Sequence, residues 1–243
     1  MLARLGLFAG LVLVWLIILL PLKAVMMIAG GAGAFGYQDV YGSVWDGRVY
    51  GMRVAGVPIR EIEMAADPLP LLVGRLAARW RVSDDSARGR GHVSIGGSTF
   101  QVSDMDLLVS IDRLGLRSFP GLDRSQMIDM DITALSLRDG RCESVQGRVQ
   151  TTALVQFAST YGFEGPALLG VLSCDDGRLV ITLDGAGADL ELTGSVHMDQ
   201  TAYAWDLELR TGRPELADAL ALAGATRTGD IWTYQGSETF VVQ

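Results

Sequence analysis

The chain has no asparagine and only one lysine, Lys23. Without asparagine there is no N-glycosylation sequon. Every other basic side chain is arginine, which reads as a genomic composition bias. Clustered positive charge is also missing. The formal net charge is −8, and the acidic residues are spread along the chain rather than gathered in a tail. Binding to nucleic acid needs clustered Lys or Arg to neutralise phosphates, so that partner class is disfavoured. The two histidines, His92 and His197, are isolated and sit beside alternating apolar residues. A hydrolytic triad would need one of them next to a poised Ser and Asp. There is no Walker loop and no G-x-S-x-G elbow. Gly31-Ala32-Gly33-Ala34-Phe35-Gly36 matches G-x-G-x-x-G by letter, but it follows an apolar span, and the dinucleotide reading needs a strand before it and a helix behind it. The carboxylate pairs Asp104/Asp106 and Asp129/Asp131 lie two apart, as on a solvated strand face, without a Ca²⁺-loop signature. The residues therefore point to no catalytic group, no cofactor and no metal, and to a non-enzymatic protein.

Charge is also absent from Leu5 to Leu22. Eighteen residues at about 1.5 Å rise give roughly 27 Å, close to the hydrocarbon thickness of a bilayer. Arg4 and Lys23 flank this run, and Pro21 stands near its end, where a helix tolerates it. Ala24 to Gly36 is small, apolar and glycine-rich, as suits a flexible exit. We therefore expect residues 1–36 to form a transmembrane anchor and its exit, with lipid contact through residues 5–22. A cleaved signal peptide is the competing reading, with Ala32-Gly33-Ala34 as the small-residue site; the run is long for a signal core, and that site lies far beyond it.

From Tyr37 onward the dominant period is two. Tyr203, Trp205, Leu207 and Leu209 alternate with Ala204, Asp206, Glu208 and Arg210. Ile128, Met130 and Ile132 alternate with aspartates; Met105, Leu107, Val109 and Ile111 repeat the pattern, as do Leu179, Ile181 and Leu183. Such alternation predicts strands with one buried and one wet face, hence an antiparallel sheet. The Asp-Gly pairs at 46–47, 139–140, 176–177 and 184–185 are expected to be turns. Helices are expected from Pro68 to Arg79, behind Asp67 as N-cap, and from Arg213 to Ala223, stopped by Gly224. Thr151 to Tyr161 and Pro120 to Met127 are further candidates. The fold class is thus mainly β: a transmembrane helix, then an extended, twisted antiparallel sheet with a few short helices over residues 37–243. Pro68–Gly74 (PLPLLVG) and Gly165–Gly170 (GPALLG) hint at a loose duplication of two halves.

Cys142 and Cys174 are the only cysteines. An even pair in an exported domain suggests a disulfide; two unrelated buried thiols are the alternative. Metal binding would need closer spacing or nearby histidines.

One ordered set of motifs runs nearly the whole chain. Tyr41-Gly42-Ser43-Val44-Trp45-Asp46-Gly47-Arg48 follows the apolar run. Pro68–Gly74 and Trp80-Arg81-Val82 come next, then Arg141-Cys142-Glu143 to Gly147-Arg148-Val149. Leu172-Ser173-Cys174-Asp175-Asp176-Gly177-Arg178-Leu179 and Arg213-Pro214-Glu215-Leu216 to Leu222-Ala223-Gly224 close it. The set resembles protein N of the type II (general) secretion pathway, an inner-membrane component of that machine. The resemblance implies a structural or assembly role in protein export across the outer membrane of a bacterium. It also implies a single-pass inner-membrane location with the bulk of the chain periplasmic, and other secretion subunits or exported proteins as partners. It carries over no catalytic residues. Trp45, Tyr50, Tyr203 and Trp205 are candidate partner contacts on the bulky faces of two strands. The alternative is an inner-membrane-anchored lipid-binding or lipid-transfer envelope protein with an apolar sheet groove.

Overall fold

The computed structural model describes residues 15, 19–24, 27, 36–54, 57–111, 125–199 and 201–239. Most of the apolar run, all but Gly36 of the glycine-rich match at 31–36, the 32–34 cleavage candidate and most of the 120–127 helix lie outside these residues. Among the described residues no helix is long and apolar enough to cross a membrane.

The strands are β1 (Asp39–Ser43), β2 (Asp46–Val54), β3 (Val57–Asp67), β4 (Leu76–Ser83), β5 (Ala87–Gly96), β6 (Thr99–Ser110) and β7 (Met127–Arg138). They continue with β8 (Arg141–Thr151), β9 (Leu168–Asp175), β10 (Arg178–Ala186), β11 (Glu191–Met198), β12 (Ala202–Arg210), β13 (Thr226–Thr228) and β14 (Ile231–Thr239). Three short helices, α1 (Pro68–Leu71), α2 (Ala153–Thr160) and α3 (Pro214–Leu222), sit in the connections. Among the described residues fourteen strands form one sheet in the order β1 to β12, then β14, then β13. Every pairing is antiparallel, so each chain reversal is local and only the final hairpin folds back out of order.

Local chemistry explains most of the turns. Asp139-Gly140 and Asp176-Gly177 all have positive φ and close the β7–β8 and β9–β10 hairpins, as Asp-Gly pairs do in primed turns. The other two Asp-Gly pairs are not turns. Asp46-Gly47 opens β2, and Asp184-Gly185 lies inside β10. A Cβ at Gly185 would come 2.7 Å from Leu168 Cδ2 and 2.8 Å from the Ala167 carbonyl oxygen, so close packing selects this glycine. The expected helix from Pro68 to Arg79 is also corrected. Only Pro68–Leu71 is helical; Gly74 takes φ +72° and ends the turn, and Leu76 onward pairs along β5. The α2 and α3 helices stand where alternation lapses.

Register fixes the two faces. One row of paired residues runs Val40, Val49, Ile62, Val82, Gly89, Leu107, Met130 and Val149, then Gly170, Leu183, Gly194, Leu207 and Tyr234. Every member is apolar except the Tyr234 hydroxyl. Large side chains fill the space beside the glycines: a Cβ at Gly89 would meet Leu107 Cδ1 at 2.9 Å, and one at Gly194 would meet Leu207 Cδ2 at 2.9 Å. Two buried clusters grow on this face. The first joins Leu22, Val40, Val49, Met52, Ile62, Val82, Ala87 and Val109. The second joins Leu190, Leu192, Leu209, Ala225 and Trp232, covered by Leu154 of α2 and by Leu216, Ala217 and Leu220 of α3.

The seam between β8 and β9 separates the two clusters. Its ladder holds only four residue pairs, Arg148–Thr151 against Leu168–Val171. Beyond it Cys142 and Cys174 are joined in a disulfide, with Cα atoms 5.5 Å apart. Cys142 N–H donates to the Gly177 carbonyl at 2.8 Å, which ties the start of β8 to the β9–β10 turn.

Candidate functional site

The opposite face of the sheet is charged. The row beside the apolar one reads Arg48, Glu63, Arg81, Arg90, Asp106, Asp131 and Arg148 across seven consecutive strands, β2 to β8. Arg48 meets Glu63 at 3.3 Å, Arg81 meets Glu63 at 3.8 Å, Arg90 meets Asp106 at 3.0 Å and Arg148 meets Asp131 at 2.9 Å. Like charges face each other at Arg81/Arg90 and at Asp106/Asp131, but each of the four also has an opposite partner on its other side, which offsets the repulsion. A depression of about 620 Å³ opens over this row, lined by Glu63, Arg81, Arg90, His92, Asp104, Asp106 and Asp131 among others. Its floor is irregular because Asp104 sits at φ +48° where β6 slips against β5. His92 Nδ1 lies 3.8 Å from Asp104 there. The two aspartate pairs do share this wet face, as alternation implies. Among the described residues no group of three or more His, Cys, Asp or Glu side chains is placed to hold a metal ion.

The unbroken run of charge ends at the β8–β9 seam, beyond which Asp206 is the one charged member of the row. The same row continues as Val171, Thr182, Ser195, Asp206 and Gln235. Val171 and Leu169 stand exposed on β9.

The first hairpin is the most tightly specified part of the surface. Gly42 takes φ +86°, and a Cβ there would lie 2.3 Å from the Asp46 carbonyl oxygen. Asp46 N–H donates to Ser43 Oγ at 3.2 Å across the Val44–Trp45 tip. The tip holds the end of the apolar run. Val44 N–H donates to the Leu20 carbonyl at 3.1 Å, Pro21 bridges Ser43, and Leu22 is buried against Gly47. A Cβ at Gly47 would meet Leu22 Cδ2 at 2.4 Å and the Ser43 carbonyl oxygen at 2.7 Å. The G-S-V-W-D-G stretch thus works as a clasp on the N-terminal segment, with its two glycines making room for backbone on one side and Leu22 on the other.

The four aromatic residues expected to contact a partner fall into separate places, and of them Tyr203 and Trp205 stack together. Trp45 is half-buried at the clasp. Tyr50, four residues from the start of β2, points to the charged face, where its hydroxyl donates to Glu61 Oε1 at 3.2 Å and its ring meets Tyr41 edge-on at 5.8 Å. Tyr203 and Trp205 lie ten strand positions away in the sheet order, on the apolar face of β12. They form an aromatic stack: Tyr203 to Trp205 at 5.8 Å and Trp205 to Tyr234 at 6.1 Å between ring centroids. Trp205 covers Gly236, whose missing side chain leaves the indole its place. The charged row and the docking of Leu20–Leu22 on the first hairpin are the features that residue-by-residue reading missed.

Beside the clasp, hydrogen bonding sets the ionisation of exposed groups. Asp39 is held below its usual carboxyl range, first by the Tyr41 hydroxyl and then by the Val40 N–H. Tyr41 is correspondingly raised by the Asp39 carboxylate. Arg48 is raised further above its already high value by the Tyr50 hydroxyl, then by Glu63 and Glu61.

Residues 34–233 match the family model described as type II secretion system (T2SS), protein N. The chain belongs to this family. That match starts just before β1 and reaches into β14, so it spans both faces, the clasp hairpin and the disulfide seam. No curated protein and no solved structure matches the chain. A protein N chain is a component of the type II secretion apparatus.

Proposed function

We propose that this protein N is a structural or assembly component of the secretion apparatus, anchored in the inner membrane by the apolar run of residues 5–22, whose last residues, Leu20–Leu22, dock on the sheet, with residues 37–243 in the periplasm. It works there by contact with other secretion subunits or exported proteins rather than by catalysis. The observation that carries the reading is the clasp. The first hairpin grips Leu20–Leu22, so the sheet is fixed to the end of the apolar run instead of trailing from a loose linker. A sheet held in this way presents its charged row and its β13 edge at a set orientation, which suits an assembly part. A disulfide between Cys142 and Cys174 accords with an oxidising compartment such as the periplasm.

One observation favours a lipid-handling reading as a second hypothesis. Among the described residues, Met64, Trp80, Leu107, Met130 and Leu207 on the apolar face pack against the two clusters and remain only half-buried. Acyl chains could lie along such a strip. Photo-crosslinkers placed beside Trp45 and in β12 between Tyr203 and Leu209, in membranes of the native host, separate the two. Capture of secretion subunits or exported enzymes supports the assembly role, and capture of phospholipid at β12 alone supports lipid handling. Unimpaired export of folded enzymes after clean deletion of the gene would refute an essential assembly role.

A further inference from the structure

Next to the clasp the β3–β4 connection exposes an unusual amount of apolar surface. Leu69 is 76%, Leu72 84%, Val73 74% and Leu76 63% accessible. Contiguous exposure of this kind marks an interaction surface rather than scatter. We propose that this loop, residues 68–76, lies in the interface of the bilayer beside the anchor and makes a second membrane contact. The inference rests on reading residues 5–22 as an anchor.

Three observations choose a lipid surface as the occupant. The first is position. Ala66 N–H donates to the Val44 carbonyl at 2.9 Å, and Val44 in turn holds Leu20, so the loop begins two residues beyond a direct contact with the clasp on the apolar run. The second is the backbone. Pro68 and Pro70 have no N–H, and four further N–H groups bond within the loop: Leu72 to Leu69, Val73 to Pro70, Gly74 to Leu71 and Arg75 to Pro70, at 3.0–3.1 Å. A loop with few free N–H groups strands fewer polar groups on entering a poorly hydrated layer. The third is the flanking charge. Arg75 follows the apolar residues at the loop and Lys23 follows the apolar run, and both suit anionic headgroups. Ile95, paired with Leu76 and also exposed, widens the patch toward β5.

The test uses the full chain in vesicles of phosphatidylethanolamine and phosphatidylglycerol. An environment-sensitive fluorophore is attached to one added cysteine at a time: Leu13→Cys in the apolar run, Leu72→Cys or Val73→Cys in the loop, and Asp230→Cys at the opposite end of the sheet. Leu72, Val73 and Asp230 are exposed, so a label there requires no repacking. Quenching by lipids spin-labelled near the headgroup, or deep in the acyl chain, is then compared. The expected result is strong headgroup-level quenching at positions 72 and 73, at least twofold above position 230, together with deep quenching at position 13. Quenching at position 13 with positions 72 and 73 no different from 230 would overturn the interfacial loop and leave the anchor reading standing. No quenching at position 13 or in the loop would overturn the anchor reading and this inference with it.

Discussion

Breaking the Cys142–Cys174 bond is expected to destabilise the protein by about 3.7 kcal/mol and to loosen one half of the sheet before the other. The magnitude follows from the loop that the bond closes. A separation of 32 residues gives an unfolded-state entropy loss of about 12.4 cal/mol/K in the chain-entropy model, or about 3.7 kcal/mol at 25 °C. The direction follows from the seam. Outside the disulfide, β8 and β9 share only four residue pairs, and the two buried clusters lie on opposite sides of that join. Without the bond, the second cluster is held to the first by those pairs and by the Cys142 and Arg141 hydrogen bonds to the β9–β10 turn. The assay is urea unfolding of the full chain, comparing wild type, reduced wild type and the Cys142→Ala/Cys174→Ala variant. With a slope of about 2–3 kcal/mol/M the midpoint should fall by roughly 1–2 M. Amide exchange should show Leu168–Asp175 losing protection while Val49 and Ile62 keep theirs. A midpoint shift below about 0.3 M, with uniform loss of protection, would refute both the entropy estimate and the weak-seam argument.

Gly47→Ala should destabilise the clasp by about 1–3 kcal/mol, because the added Cβ meets a backbone carbonyl that cannot retreat as well as Leu22; thermal unfolding measures the loss. Leu22→Ala should relieve only the side-chain part of that clash, so the double variant should fall short of additivity, which a mutant cycle detects. Gly236→Ala should displace the Trp205 indole, which lies 2.3 Å from the added Cβ, and the tryptophan emission should shift to the red. Charge removal in the ladder is expected to be mild: Asp131→Asn with Arg148→Gln should change stability by less than about 1 kcal/mol, since both groups are well exposed. A large export defect from that pair with an unchanged unfolding midpoint would therefore locate a contact surface. The Asp199 carboxyl is lowered from its ordinary 3.8 by the Thr201 backbone N–H, then the Thr201 hydroxyl and the Ala202 N–H. A depressed carboxyl contributes stability above its unfolded value and loses it as pH falls through the lower folded one. The β11–β12 turn should accordingly open in acid below pH 3.8, read as faster exchange at Thr201 and Ala202, and Asp199→Asn should open it at neutral pH as well.

Much of the fold was legible because one face of nearly every strand is buried. Alternation at Ile128–Ile132 and Tyr203–Leu209 identified strands without any knowledge of their partners. Helix α3 was legible from its leucines and Gly224. What failed did so for local reasons. PLPLLVGRLAAR has helical composition, yet Gly74 at positive φ and the pairing of Leu76 with Ile95 convert its second half into a strand. The Asp-Gly pairs at 46–47 and 184–185 read as turns in sequence but stand in strands, because a glycine required by close packing has the same letter as one required by positive φ.

The site was legible in composition but not in arrangement, and register is the reason. Arg48, Glu63, Arg81, Arg90, Asp106, Asp131 and Arg148 look ordinary in sequence, since each is one more charge on a wet face. Only the pairing of seven strands brings them into a single row. The same pairing separates what the sequence grouped. Trp45 and Tyr50 belong to the first hairpin and Tyr203 and Trp205 to β12, so a meander in which consecutive strands pair from β1 to β12 keeps them as far apart in the sheet as they are in the chain. The G-S-V-W-D-G stretch is the exception that a single sequence could locate, because its glycines sit where a backbone carbonyl and Leu22 approach within 2.3–2.4 Å of an absent Cβ. No other residue type fits those two positions, and the constraint comes from holding the N-terminal segment against the sheet. The part of this chain that reads most like its family is therefore the part that fixes the sheet to its N-terminal segment.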